Sequence, residues 1–225
     1  MARACVFDVN ETLLDMAALD PLFERAFGDA AARTEWFGQL QQSWLVATVT
    51  GVYEELGTIG GTALKMVAER RGMSLPDEGA KNILGAIREL PPHPEVGEAL
   101  ARLREAGIRL ATLTNSTQEV AEAQIENSGL GEYFEEVLSA DSVRRLKPSP
   151  EPYRMAAGSL GVEIGQVRLV AAHAWDVAGA MRVGCAAAFV ARPGKMLDPL
   201  FERPEVVGAD LREVAEAVIE AETRG

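Results

Sequence analysis

The chain has little that would staple, anchor or charge-tether it. Its 225 residues include two cysteines, Cys5 and Cys185. Both sit in apolar, strand-like stretches with no CxxC spacing, so they are expected as small buried core residues rather than a disulfide or metal pair. Positive charge is also scarce. Against 34 Asp and Glu there are 22 Lys and Arg, a net charge of −12, which repels phosphate backbones and anionic lipid and argues against nucleic acid or membrane partners. No apolar run approaches the ~20 residues a membrane span needs, and an apolar strand opens the chain where a signal peptide would stand. A cytoplasmic protein is expected. No internal repeat or low-complexity segment is visible, and the length suits one large domain or a domain carrying an inserted second one.

What is present starts with Cys5-Val6-Phe7-Asp8-Val9-Asn10-Glu11-Thr12-Leu13-Leu14-Asp15. Ala4 to Asp8 reads as a buried parallel-sheet strand ending on a carboxylate, followed at once by turn-compatible polar residues. In open α/β sheets ligands bind at the carboxyl ends of strands, so Asp8 is placed for chemistry, with loop capping as the plainer alternative. The pattern then turns helical. Apolar residues recurring at three and four, punctuated by Gly57, Gly72 and Pro76, predict helices at 21–27, 32–49, 58–71 and 76–89. Leu90-Pro91-Pro92-His93-Pro94 cannot continue a helix and ends this insert.

From Pro94 onward helices and strands alternate: helix 95–105, strand 109–114, helix 118–128, strand 136–139, helix 150–160, strand 167–171, helix 174–183, strand 186–190 and helix 211–221. Such alternation predicts a Rossmann-like, doubly wound parallel α/β sheet with an inserted helical cap. The core is expected at 1–14 and 93–225 and the cap at 15–92. Strand ends then supply Asp8, Thr114-Asn115-Ser116, and His173 with Asp176, while Lys147 lies in a loop between them. In a parallel sheet these ends share one edge, so the groups converge on one cleft, with the insert above it.

These residues carry a family resemblance. Phe7-Asp8-Val9-Asn10-Glu11-Thr12-Leu13, Leu113-Thr114-Asn115-Ser116, Lys147-Pro148 and Val170-Ala171-Ala172-His173-Ala174-Trp175-Asp176-Val177-Ala178-Gly179-Ala180 resemble, in order, the haloacid dehalogenase superfamily, and most of all the type II L-2-haloacid dehalogenases. One scaffold there hosts phosphatases, phosphonatases and dehalogenases. Phosphatases of the superfamily use an aspartate two residues after the nucleophile and a magnesium site built from carboxylates. Here the first position is Asn10, which cannot exchange a proton near neutral pH, and a magnesium-ligand position is the apolar Ala172. The resemblance therefore implies hydrolytic dehalogenation of a short L-2-haloacid without metal or other cofactor. A magnesium-dependent phosphatase or phosphonatase, and a noncatalytic member that binds a small anion or a partner protein, stand as alternatives.

By resemblance Asp8 is the nucleophile that forms an ester, whose carbonyl water then attacks. Lys147 keeps Asp8 ionised and offsets Asp176; Thr12 hydrogen-bonds Asp8; Tyr153 matches the family tyrosine near the lysine. Thr114 and the backbone N–H groups of Val9 and Asn10 are expected to hold the substrate carboxylate, and the Asn115 amide to donate to the departing halide. Trp36, Phe37, Leu40 and Trp175 are expected to line a small apolar pocket that suits haloacetate, fluoroacetate among them, or 2-halopropionate. Two departures stand out. Where family members often carry Asn, this chain has His173, for which a dyad with Glu11 is the expected water-activating pair. Where they carry a halide-binding arginine on the first long cap helix, it has Trp36, with Arg33 about one turn earlier, so Arg33, Trp36 or Asn115 is expected to hold halide. His93 is expected to be structural. Apolar cap surface and the resemblance suggest a homodimer.

Overall fold

The structure, a computed structural model, describes residues 4–223. Strand β1 (Ala4–Phe7) is buried along its whole length because it lies inside the sheet, where both faces are covered and no alternation of polar residues is tolerated. The other strands are β2 (Arg109–Thr114), β3 (Glu136–Ser139), β4 (Val167–Ala171), β5 (Ala186–Val190) and β6 (Val206–Gly208). All pair in parallel, in the order β3-β2-β1-β4-β5-β6. Phe7 is in register with Thr112 on one side and Val170 on the other. The residues that follow the three central strands therefore emerge side by side, at the point where the winding reverses and where such sheets leave a crevice.

Between β1 and β2 the chain runs through α1 (Asp20–Phe27), α2 (Ala32–Thr50), α3 (Leu56–Arg70) and α4 (Asp77–Ala86), then α5 (Val96–Glu105). The first four form the inserted helical cap. Its own core is aromatic: the Phe23 ring packs on Phe27 at 5.6 Å and on Trp36 at 5.4 Å. Gly51 ends α2 at φ 73°, its N–H closing on the carbonyls of Ala47 and Thr48, a left-handed cap that costs a glycine little. The connections into and out of the cap are tied together: Asp15 N–H donates to Pro91 O at 2.8 Å and His93 N–H to Leu13 O at 2.9 Å. The proline-rich exit thus serves as the return half of a two-stranded neck.

After β2 come α6 (Gln118–Asn127), α7 (Pro150–Ser159), α8 (Ala174–Arg182) and α9 (Leu211–Thr223), which clothe the two faces of the sheet. Cys5 and Cys185 are free and buried. Strands 109–114, 136–139, 167–171 and 186–190 fall where hydrophobic patterning puts them. The edge strand β6 has no counterpart in that reading. Only three residues long and preceded by Pro204-Glu205, it lacks the length from which a period-two pattern can be recognised.

Candidate active site

Asp8 follows β1 directly, its N–H held by Val170 O at 3.0 Å, and it is 5% exposed. Lys147 is wholly buried, and its ammonium has three short contacts: Asp176 Oδ2 at 2.6 Å, Leu113 O at 2.7 Å and Asp8 Oδ1 at 3.0 Å. All three donors of the ammonium are thereby used. Asn115 places the lysine, since its Oδ1 accepts from Lys147 N at 2.7 Å and its amide donates to Lys147 O at 3.1 Å. Asp176 stands in the first turn of α8, where the helix dipole favours a carboxylate. The Tyr153 hydroxyl donates to its Oδ1 at 2.6 Å. Burial and the Asp176 charge push that phenol well above its ordinary range, so it acts as a fixed donor.

The other oxygen of Asp8 faces a second set of groups. Thr12 Oγ1 donates to Oδ2 at 2.6 Å and accepts from Ala172 N at 3.0 Å. His173 Nδ1 lies 3.0 Å from the same oxygen, and its Nε2 lies 2.8 Å from Glu11 Oε2. The imidazole is thus clamped between two carboxylates, and both nitrogens have an anionic acceptor. Burial pushes its pKa down, but the hydrogen bonds and charges of Asp8 and Glu11 outweigh it and raise the pKa to about 9. For Asp8, burial pushes the carboxyl up. Lys147, His173 and Thr12 more than offset this and leave it below the usual carboxylate range. Asp176 is raised by burial against the pull of Lys147.

Glu11 has left-handed backbone at φ 63°, which costs a non-glycine residue about 1–3 kcal/mol. The turn is held by Glu11 N–H on Leu14 O at 2.9 Å and by His93 Nε2, 3.3 Å from Glu11 O, so His93 is a support for this loop. A residue absent from the sequence reading completes the cluster: Lys195 Nζ contacts Glu11 Oε2 at 2.5 Å. It arrives on the loop after β5, through Arg192-Pro193-Gly194-Lys195. Lys195 N–H donates to Arg192 O at 2.8 Å and Gly194 sits at φ 78°, the geometry that proline then glycine encode in a type II turn.

The cap supplies a ceiling. Phe37, on α2, stacks on the His173 ring with centroids 5.8 Å apart, and Trp175 stacks on His173 at 5.2 Å. Beside them lies a cavity of about 250 Å³ whose lining includes Trp36, Phe37, Leu40, Asn10, Ser116 and Thr117. Three of the four expected pocket residues are thus present in the lining, and Trp175 is instead a partner of the imidazole. Val9 is fully buried, its carbonyl accepting from Leu13 and Leu14. Asn10 Oδ1 accepts from Gln124 Nε2 at 2.7 Å.

Hydrogen bonds and the cavity lining bear on the groups expected to hold halide and carboxylate. The Trp36 indole N–H donates to Gly60 O at 3.0 Å and is not free for halide, and Arg33, whose Nε pairs with Asp20 Oδ1 at 2.5 Å, is not among the residues that line the cavity. Asn115 keeps only one amide N–H beyond its bond to Lys147. Thr114 Oγ1 accepts the Ser116 N–H at 3.2 Å, capping the turn after β2, while the next two hydroxyl residues, Ser116 and Thr117, reach the cavity.

A magnesium ion does not fit these residues. Each oxygen of Asp8 and Asp176 already accepts from Lys147, Thr12, His173 or Tyr153, and an ammonium occupies the space between the carboxylates. A hard cation needs several free oxygen ligands; Asn10 is turned to Gln124, and Ala172 offers a methyl group.

A family model described as haloacid dehalogenase-like hydrolase matches residues 2–184. The (S)-2-haloacid dehalogenase 4A of Burkholderia cepacia is 34% identical over 81% of this chain and 80% of that one. The haloacetate dehalogenase H-2 of a Moraxella species is 29% identical over 90% and 92%. Among solved structures, the L-2-haloacid dehalogenase of Xanthobacter autotrophicus with chloropropionic acid covalently bound superposes with a TM-score of 0.90 at 25% identity, covering 97% of this chain and 98% of that one.

Proposed function

The chain belongs to the haloacid dehalogenase-like hydrolases, and we propose that within them it hydrolyses short L-2-haloacids to 2-hydroxy acids through an ester on Asp8. The observation that carries this reading is the Lys147 ammonium bridging Asp8 Oδ1 and Asp176 Oδ2: it keeps a buried carboxylate ionised and fills the space between the two carboxylates. Oδ1 of Asp8 holds one donor and Oδ2 holds two, so Oδ1 is the more nucleophilic oxygen. It attacks the halogen-bearing carbon from behind, the C–halogen bond breaks, and a chiral centre inverts. The departing halide meets the spare N–H of Asn115 and the Trp175 indole N–H, which has no partner among the described residues. Asn10, Ser116 and Thr117 receive the substrate carboxylate on the polar side of the cavity, and Phe37 and Leu40 take its short carbon chain.

With the ester carbonyl on Oδ2, the Thr12 hydroxyl becomes a donor to the developing oxyanion. Water adds to the carbonyl carbon as His173, oriented by Glu11, takes one of its protons. The ester C–O bond then breaks, the alcohol leaves with the remaining proton, and Asp8 is regenerated. We read residues 15–92 as the cap that closes over this centre and 1–14 with 93–225 as the core. The free, buried cysteines support a cytoplasmic setting. The exposed valines Val46, Val49 and Val52 support a homodimer, which light scattering tests. For the activity, halide release from L-2-chloropropionate and haloacetates is measured with a chelator present, beside phosphate release from a generic ester with magnesium. Halide in the first arm is expected; phosphate in the second without halide in the first would overturn the assignment in favour of a phosphatase.

A further inference from the structure

The Lys195 ammonium has no place in the chemistry described so far, yet it is the nearest cation to Glu11. We propose that Lys195 is a positioning residue for ester hydrolysis: by neutralising Glu11 it lets His173 give up its proton once Asp8 has been esterified. This inference rests on the dehalogenase reading above and extends it.

Counting charge shows why a third cation is needed. Around the imidazole the described charged groups are Asp8 and Glu11 from the loop after β1, Lys147 from the loop before α7, Asp176 from α8, and Lys195 from the turn after β5. Arg192 is committed to Thr12 O and Glu95, the His93 ring lies against the Glu11 carbonyl, and α2 presents the uncharged Phe37. With His173 protonated, three anions face three cations, and the resting site is neutral. Alkylation turns Asp8 into a neutral ester and expels halide. Two protein carboxylates then remain for Lys147, Lys195 and the imidazolium, the substrate carboxylate being held by the uncharged Asn10, Ser116 and Thr117. The ring has lost the anion at Nδ1 and shares Glu11 with Lys195, so it is the cation that gives up its proton to solvent. Lys147 with Asp176 and Lys195 with Glu11 remain as two balanced pairs around a neutral imidazole. That neutral ring is the base hydrolysis needs: it takes a proton from the attacking water and returns to imidazolium as Asp8 regains its charge. The resting ring, with its pKa near 9, holds its proton at neutral pH and cannot do this; esterification switches it on.

Were Lys195 missing, Glu11 and the imidazolium would neutralise each other in the ester, and the base would stay protonated. The fold builds the ammonium in with care. Arg192 anchors the type II turn by donating to Thr12 O at 2.8 Å and to Glu95 Oε1 at 2.5 Å, the turn delivers Lys195 to Glu11, and its Nζ lies 5.2 Å above the Phe37 ring, a favourable cation–π distance.

Lys195→Met and Lys195→Arg test this in single-turnover reactions with a 2-halopropionate, following the Asp8 ester by intact-protein mass spectrometry across the neutral to alkaline range. Lys195→Met is expected to form the ester at the unaltered rate, to hydrolyse it slowly at neutral pH, and to recover as pH rises. Its hydrolysis profile should move alkaline by about one unit or more, the usual effect of removing a close charge, and Lys195→Arg should restore the original profile. An unmoved profile, or a slowing that alkaline pH does not relieve, would overturn the inference while leaving the dehalogenase assignment intact. Failure of the unmodified enzyme to form any ester would instead remove the assignment itself, and this inference with it.

Discussion

Tyr153 and Lys147 hold the two oxygens of one carboxylate: the hydroxyl donates to Asp176 Oδ1 at 2.6 Å and the ammonium to Oδ2 at 2.6 Å. On the proposed mechanism Asp176 is a spacer that keeps Lys147 within reach of Asp8. In Tyr153→Phe a buried carboxylate oxygen loses its donor, which costs about 1–3 kcal/mol. The thermal midpoint should fall, and ester formation should slow about tenfold as Lys147 is drawn toward Asp176, a loss near 1.4 kcal/mol in the barrier. Calorimetry and rapid-quench halide release measure the two effects. Unchanged ester formation would show that Asp176 needs no second anchor.

Gly179, on α8, is a packing requirement of that same anchor. A Cβ there would stand 2.6 Å from Pro148 Cβ and 2.8 Å from the Tyr153 hydroxyl, closer than side chains tolerate. Gly179→Ala should destabilise the fold by about 1–3 kcal/mol and, by displacing Tyr153, reproduce part of the Tyr153→Phe kinetic defect. Full activity with an unshifted unfolding midpoint would mean that the helix moves away at no cost.

Much of this was legible in the chain. Asp8, Asn115, His173 and Asp176 follow strands or open helices whose hydrophobic patterns are unmistakable, and a parallel sheet forces such ends together. The Glu11–His173 contact followed from the same logic, because each residue stands just beyond the end of one of two adjacent strands, β1 and β4. Lys195 was not legible: it lies far along the chain from Glu11, on a loop whose path no periodicity predicts. The Arg-Pro-Gly-Lys turn after a strand end was the one local signal. Arg33 and Trp36 misled for a different reason. The resemblance placed them where family members carry a halide-binding arginine, but hydrogen bonds to Asp20 and Gly60 O, which depend on tertiary packing, had already engaged Arg33 Nε and the Trp36 indole N–H.

The dyad predicts where turnover stalls. His173→Ala and Glu11→Gln should both still form the Asp8 ester, since Lys147 keeps its contact with Oδ1, but hydrolysis should slow by about 10²–10⁴-fold, the usual contribution of a positioned base. Intact mass after mixing with substrate should show a long-lived adduct. Normal turnover with no adduct would eliminate the dyad.

Stability should depend on pH through the same imidazole. Its pKa is raised in the fold from its ordinary 6.5 to about 9, so its contribution is complete below about 6.5 and is lost as pH rises through 9. Asp8 has the opposite sign: its lowered pKa stabilises above the ordinary carboxylate range and is lost in acid. Urea midpoints of the native protein should decline between neutrality and pH 9, and His173→Gln should flatten that decline. An equal decline in both proteins would assign it to other groups.

The Trp175 ring lies 5.2 Å from the His173 ring at 24°, and this stacking makes the protein its own optical recorder. A protonated imidazole stacked on an indole quenches its emission, whereas a neutral one does so far less. Trp175 should therefore be dim in the resting enzyme, brighten as Asp8 is esterified, and dim again when the hydroxy acid is released. Trp36 and Trp44, the other two tryptophans, supply a steadier background. Stopped-flow fluorescence on mixing with substrate should show a transient rise that Trp175→Phe removes. A flat trace in an enzyme that accumulates ester would mean that the imidazole keeps its proton throughout.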